Sequence, residues 1–291
     1  MPPTRAKLYG LISVMTFFWS INYVVAKIAL RSFPALLIGP LRAATAAALL
    51  LPIFFLRRSD LGEKWQRREV IELALLGVFG ITLNQVFFVV GMSSTSVAHA
   101  ALVIATTPLQ VLMLAALRGQ ERVTVRKLAG LAVAIAGIAV LNLGRETRGA
   151  SFTGDFFVFL ASFCFSLYTV FGKEVTSRHS IITVNAFGYL AGALAGAPLL
   201  IQQSWGFDFG AVAASGWWAL AYMAILSSIL CYMIFYYALN HMTATRLAAF
   251  SYVQPVIASL AGLLILREPI TLPIAAGGLL VLSGVWVTGR G

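Results

Sequence analysis

Polar side chains are scarce in the long apolar runs of this chain, and those present recur at helical spacing. Trp19, Asn22, Tyr23 and Ala26 stand at i, i+3, i+4 and i+7, which is one face of a helix. A later run sets Phe165, Tyr168, Thr169 and Gly172 at the matching positions. Asn84, Gln85 and Phe88 form another group, answered by Cys231, Tyr232 and Phe235. His99, Thr106 and Gln110 share a stripe, and Ser251, Tyr252 and Gln254 occupy its counterpart. Polar groups inside a bilayer are costly, so they face one another or a wet cavity. Their chemistry here is recognition: amides and hydroxyls exchange hydrogen bonds with a solute, and aromatic rings give it broad contact. The residues expected to bind a small solute are Trp19, Asn22, Tyr23, Asn84, Gln85, Thr106, Tyr168, Tyr232 and Tyr252. For any one of them a hydrogen bond between helices is the competing role.

Other chemistry finds no support. There is no H-E-x-x-H, no P-loop and no G-x-S-x-G. His99, His179 and His241 lie on separate segments without metal spacing. No cofactor or metal is called for, and an intramembrane enzyme is disfavoured. The ten acids fall at helix ends or in links, with Glu72 and Asp155 nearest the apolar runs. No buried carboxylate stands out as a proton relay. Arg42 is the lone arginine well inside an apolar run. It either meets a substrate carboxylate or pairs with a carbonyl as a structural group, and the structural role is the favoured one. Lys27 and Lys173 sit where their stems can snorkel.

Such stripes need helices to hold them. The 291 residues are 60% hydrophobic and 11% charged, with mean hydropathy +0.89. Average soluble chains carry about 25% charge, so this is an all-α polytopic membrane protein with the bilayer as its solvent. The net charge of +11 belongs to orienting loops rather than to nucleic-acid binding. Cys164 and Cys231 lie in apolar runs, as packing residues rather than a disulfide. The first apolar run is too long for a signal peptide and is read as a retained helix. Spans of about 20 residues are predicted over 8–30, 35–56, 70–91, 96–117, 124–143, 152–172, 181–201, 216–239, 243–266 and 271–287. The basic link 57–69 is a solvated loop.

The second half repeats the first. Offset by 147 residues, Pro108 meets Pro255, Leu117 meets Leu264, Glu121 meets Glu268, and Gly130 and Gly137 meet Gly277 and Gly284. Offset by 146, Trp19–Val24 meets Phe165–Val170. Repeat one is 1–144 and repeat two 151–291, joined by the polar run that holds Arg145 and Arg148. Five helices per repeat is an odd number, so the copies enter the membrane from opposite sides. Inverted repeats of this kind place a substrate site near the midplane at their interface. With the N-terminus inside, fifteen Lys and Arg face the cytoplasm and five face out, so both ends are expected to be cytoplasmic. Pro108 and Pro255 fall mid-span, as static kinks or as flexing points for alternating access. His99 and Arg246 are repeat-equivalent helix starts suited to a gate or a headgroup contact. The glycines seven apart make smooth stripes, placing the fifth and tenth helices at the periphery as bundle supports or a dimer contact, away from the path.

The segment Tyr236–Val287 resembles the EamA domain of the drug/metabolite transporter superfamily. The resemblance lies in Ala238-Leu239 at a helix end, the proline of Gln254-Pro255, the acidic helix end Leu266-Arg267-Glu268 and the Gly277…Gly284 helix. The first half carries the pattern more loosely, with Gln120 and Arg122 flanking Glu121. The resemblance implies a ten-helix carrier of the bacterial inner membrane that exports amino acids or other small metabolites. A non-transport scaffold is disfavoured by the polar stripes.

Overall fold

The structure is a computed structural model that describes residues 4–57, 66–119, 124–141, 151–176 and 178–289. Gln120, Glu121, Arg122, most of the 57–69 loop, and Arg145 and Arg148 of the linker lie outside the described residues.

Among the described residues the helices group into ten rods in chain order. Repeat one holds α1 (Arg5–Ala29), α2 (Ala35–Arg57), α3 (Arg67–Ser94), α4 (Val97–Leu117) and α5 (Val125–Leu141). Repeat two holds α6 (Phe152–Thr176), α7 (Ile181–Ser204), α8 (Ala214–Leu239), α9 (Ala244–Leu266) and α10 (Leu272–Gly289). Among the described residues eight of them are long and apolar enough to cross a membrane. Hydroxyl caps fix several starts: Thr4, Ser96, Ser180 and Thr243 each accept a backbone N–H three residues on. Ser96 and Thr243 are repeat-equivalent, so the same cap opens α4 and α9.

Two features depart from the smooth spans expected. In α3 the backbone passes through a π turn, Val78–Leu83, and in α8 through Met223–Leu230. Each gives way to α-helix at the repeat-equivalent pair Asn84 and Cys231. Such turns leave carbonyls free for side chains. In α4 the helix stops at Ile104 and restarts at Thr107, and α9 runs through a 3-10 segment, Ala249–Val253, before Gln254. Pro108 and Pro255 are therefore second residues of new helical segments, where no intrahelical N–H is needed. Freed carbonyls are covered locally: Thr106 Oγ1 donates to Val103 O at 2.7 Å and Thr107 Oγ1 to Ile104 O at 2.5 Å.

The packing has two-fold logic. α1 lies against α8 and α9, as α6 lies against α3 and α4, and α2 packs along α7. α5 and α10 form their own antiparallel pair. A methyl group on Gly137 would strike the α10 backbone at Gly277 and Val281, and one on Gly284 would strike Gly130 and Ala134 of α5. The glycine stripes thus meet each other within one chain. Phe17, Leu75, Met113, Leu194, Trp218 and Leu264 stand exposed on the outside of the bundle, as a lipid-facing surface requires.

Candidate functional site

Between the repeats lies a cavity of about 100 Å³. A single buried water needs only roughly 15 Å³, so there is room for a small solute. Its lining comes from α1, α2, α3, α4, α6, α8 and α9. Six of the nine predicted binding residues are in the wall: Trp19, Asn22, Tyr23, Asn84, Gln85 and Tyr232.

The π turns set much of this wall. Tyr232 donates to Gly80 O at 3.0 Å, a carbonyl of the α3 π turn, and to Asn84 Oδ1 at 3.3 Å. Asn84 Nδ2 in turn donates to Ala161 O at 2.8 Å. Trp19 Nε1 donates to Ser227 O at 3.0 Å, a carbonyl of the α8 π turn. The indole then stands edge-on to Phe165 and Tyr232, with ring centroids 5.5 and 5.9 Å away, and beside Phe235 at 5.7 Å. Tyr23 donates to Gln254 Oε1 at 3.0 Å, tying α1 to α9 at the cavity edge. The result is an aromatic box with amide corners.

The other three predicted residues stand outside the lining. Thr106 is spent on the break in α4: it bonds Val103 O and accepts from Gln110 Nε2 at 3.3 Å. Gln110 also donates to Ser162 Oγ at 2.6 Å and accepts from Ser166 at 3.2 Å, so it belongs to a polar seam between α4 and α6. Tyr168 is buried behind Phe165 and Tyr232, where Gly80 leaves a slot that a methyl group would fill. Tyr252 lies in the 3-10 segment of α9 and packs on a separate apolar cluster with Leu102, Leu109 and Ala134.

The residues read as gates divide. Arg246 is exposed in the first turn of α9. His99 is buried, with Nδ1 3.3 Å from Asp155 Oδ2, and Thr95 donates to the other Asp155 oxygen. Asp155 is thus a buried carboxylate engaged with α4 rather than a solvated helix end. Pro108 and Pro255 sit in the breaks near the cavity without lining it. Lys173 does not snorkel to water alone; its Nζ donates to Met242 O at 2.8 Å.

Sequence reading missed Met15, Thr16, Thr107 and Ser162 as wall residues. Thr16 lies three residues before Trp19, and Ser162 three before Phe165, so extending each stripe by one turn would have found them. Among the described residues Arg42 is the only charged side chain in the lining. It is 4% exposed, and its Nε donates to Ser228 Oγ at 2.6 Å. Gln85 reaches the same hydroxyl at 3.5 Å. Cys164 and Cys231 are free and buried. Among the described residues no cluster of three or more His, Cys, Asp or Glu stands ready for a metal.

Apolar helices in two matching sets, closed round a largely aromatic pocket with a few polar groups at their seam, define a multi-pass membrane protein with the build of a small-solute carrier. Comparison with known proteins makes that specific: the chain belongs to the EamA-like transporter family, whose model matches residues 7–143 and again 152–290. It is 29% identical to an uncharacterized transporter of Archaeoglobus fulgidus, covering 98% of this chain and 99% of the relative. The uncharacterized transporter YoaV of Bacillus subtilis is 27% identical, covering 96% of this chain and 95% of its own. The uncharacterized inner membrane transporter YedA of Escherichia coli is 28% identical, covering 88% of this chain and 81% of its own. One crystal structure of a protein superposes with a TM-score of 0.70 at 21% identity, covering 98% of this chain and 96% of that one, and shows likeness of fold.

Proposed function

We propose that this membrane transporter exports amino acids or similar small metabolites across a bacterial inner membrane, by alternating access through the cavity between its repeats. The observation that carries the reading is the wall itself: indole, phenol and amide groups from both repeats converge on one cavity. A purely structural polar seam would close on itself, as the Gln110 seam does. Inner-membrane placement is supported by the name of the Escherichia coli relative. Both ends in the cytoplasm is supported by the lysine and arginine bias and by the odd number of helices per repeat.

Purified protein in liposomes tests the reading. Loaded vesicles are expected to release radiolabelled amino acids at a rate far above protein-free controls. Correctly inserted protein with no flux for any amino acid removes that substrate class. Flux of another neutral metabolite in the same vesicles would keep the carrier and change the cargo.

A further inference from the structure

Arg42 does something in this wall that a structural arginine need not do. A structural arginine in a membrane bundle is paired with an acid or with carbonyls. Within the described residues, Arg42 has neither: its one hydrogen bond runs from Nε to a neutral hydroxyl, Ser228 Oγ. Among the described residues no hydrogen bond from its terminal amino groups is seen, and the side chain borders the cavity. Arginine keeps its charge in proteins, so the cavity wall carries a positive charge that no acid among the described residues pairs. Buried charge without a partner is costly, and an anionic occupant removes that cost.

Acceptors without donors gather in the same wall. Asn22 Oδ1, Gln85 Oε1, Thr16 Oγ1 and Ser251 Oγ are buried with no hydrogen-bond partner, and all four residues line the cavity. Consecutive residues of the α8 π turn hold two residues of this wall: the Ser227 carbonyl accepts from Trp19, and the Ser228 hydroxyl accepts from Arg42. Asn22 is one helical turn beyond Trp19. Arg42 and Gln85 share the Ser228 hydroxyl and line one cavity with Asn22, so a guanidinium and two carboxamides border the same space, which matches a solute that carries a carboxylate and an ammonium.

We propose that Arg42 is the anchor for the carboxylate of the transported solute, with the amide oxygens of Asn22 and Gln85 receiving its ammonium group. The assignment rests on the carrier reading above and narrows it to zwitterions with a single carboxylate. The planar fork of arginine suits a carboxylate bidentately. A phosphate or dicarboxylate would bring a second negative charge that nothing else in the described lining balances.

The test uses the full-length protein in liposomes, with a mixture of the twenty radiolabelled L-amino acids and, as competitors, the matching amino-acid amides and decarboxylated amines. For the amino acids carried, amides and amines are expected to compete at least tenfold more weakly than the unlabelled amino acid. Arg42→Gln is expected to lower flux at least tenfold, and Arg42→Lys to recover part of it. If Arg42→Gln does not fold, the competition series on the unaltered protein decides alone. Equal competition by the amides, or normal flux in a folded Arg42→Gln, overturns the assignment and leaves the amino-acid carrier standing. If no amino acid moves, that reading fails by itself, and labelled monocarboxylates without an amino group are tried next. Monocarboxylate flux lost in Arg42→Gln keeps Arg42 as the anchor; no flux of any carboxylate overturns it.

Discussion

At the scale of single residues, repeat-equivalent positions have parted company. Trp19 and Asn22 both face the cavity, while of their counterparts Phe165 and Tyr168 only the first does. The cause is Gly80, whose missing side chain opens a slot beside the wall that the Tyr168 ring enters. Tyr168 there packs against Tyr236, with ring centroids 4.9 Å apart, and against Tyr232 at 5.5 Å. The two aromatics should therefore fail in different ways. Truncating a fully buried aromatic costs about 3–5 kcal/mol, so Tyr168→Ala is expected to lower the melting temperature in detergent by several degrees. Trp19 is half-buried and borders the cavity, so Trp19→Ala is expected to cut flux at least tenfold with a smaller shift in melting. Melting and flux measured on the same preparations check this. A Tyr168→Ala protein as stable as wild type would mean that the slot is not packed as described.

At the scale of elements, the breaks in α4 and α9 are where a segment can turn at low cost. Pro108 and Pro255 lack the N–H that would stitch the break closed, and Thr107 already covers the carbonyl Pro108 leaves free. Replacing either proline by alanine supplies an N–H able to join the two segments. Pro108→Ala and Pro255→Ala are expected to melt within a few degrees of wild type while flux falls several-fold. Unchanged flux in both would make the breaks static. The same breaks explain what sequence could not foresee. Apolar windows of about 20 residues marked the eight long helices, because the bilayer demands that length, and polar stripes marked Trp19, Asn22, Tyr23, Asn84, Gln85 and Tyr232, which line the cavity. A stripe drawn at 100° per residue keeps its phase only while the helix is unbroken. It slips at the turn before Thr107, which turns Thr106 to its own backbone. It drifts through the 3-10 segment, where each residue turns about 120°, which carries Tyr252 onto another cluster. The π turns left no composition signal at all, although they aim Trp19 and Tyr232.

At the scale of the whole molecule, the links between helices collect on two opposite faces with unlike chemistry. On one, Glu268 caps α4 through Val97 N–H at 2.9 Å, and Ser151 N–H donates to Ser94 O at 2.9 Å. On the other, Arg118 meets Glu174 at 2.9 Å and Arg178 meets Glu72 at 3.3 Å, each pair joining the two repeats. Exposed ion pairs of this kind contribute only about 0–1 kcal/mol, so that face can part without a large penalty, as the proposed alternating access requires. The basic residues of the sequence fall mostly on that side, which supports the proposal that it faces the cytoplasm under the positive-inside rule. Single cysteines probe this directly, since Cys164 and Cys231 are buried and can be replaced by serine to clear the background. Arg5 and His241 are exposed on the proposed inner side, and Arg31 and Asp208 on the outer. A membrane-impermeant maleimide added to intact cells is expected to label Arg31→Cys and Asp208→Cys at once. Arg5→Cys and His241→Cys should react only after the cells are opened. Labelling of Arg5→Cys in sealed cells would reverse the orientation, and with it the assignment of the ion-paired face to the cytoplasm.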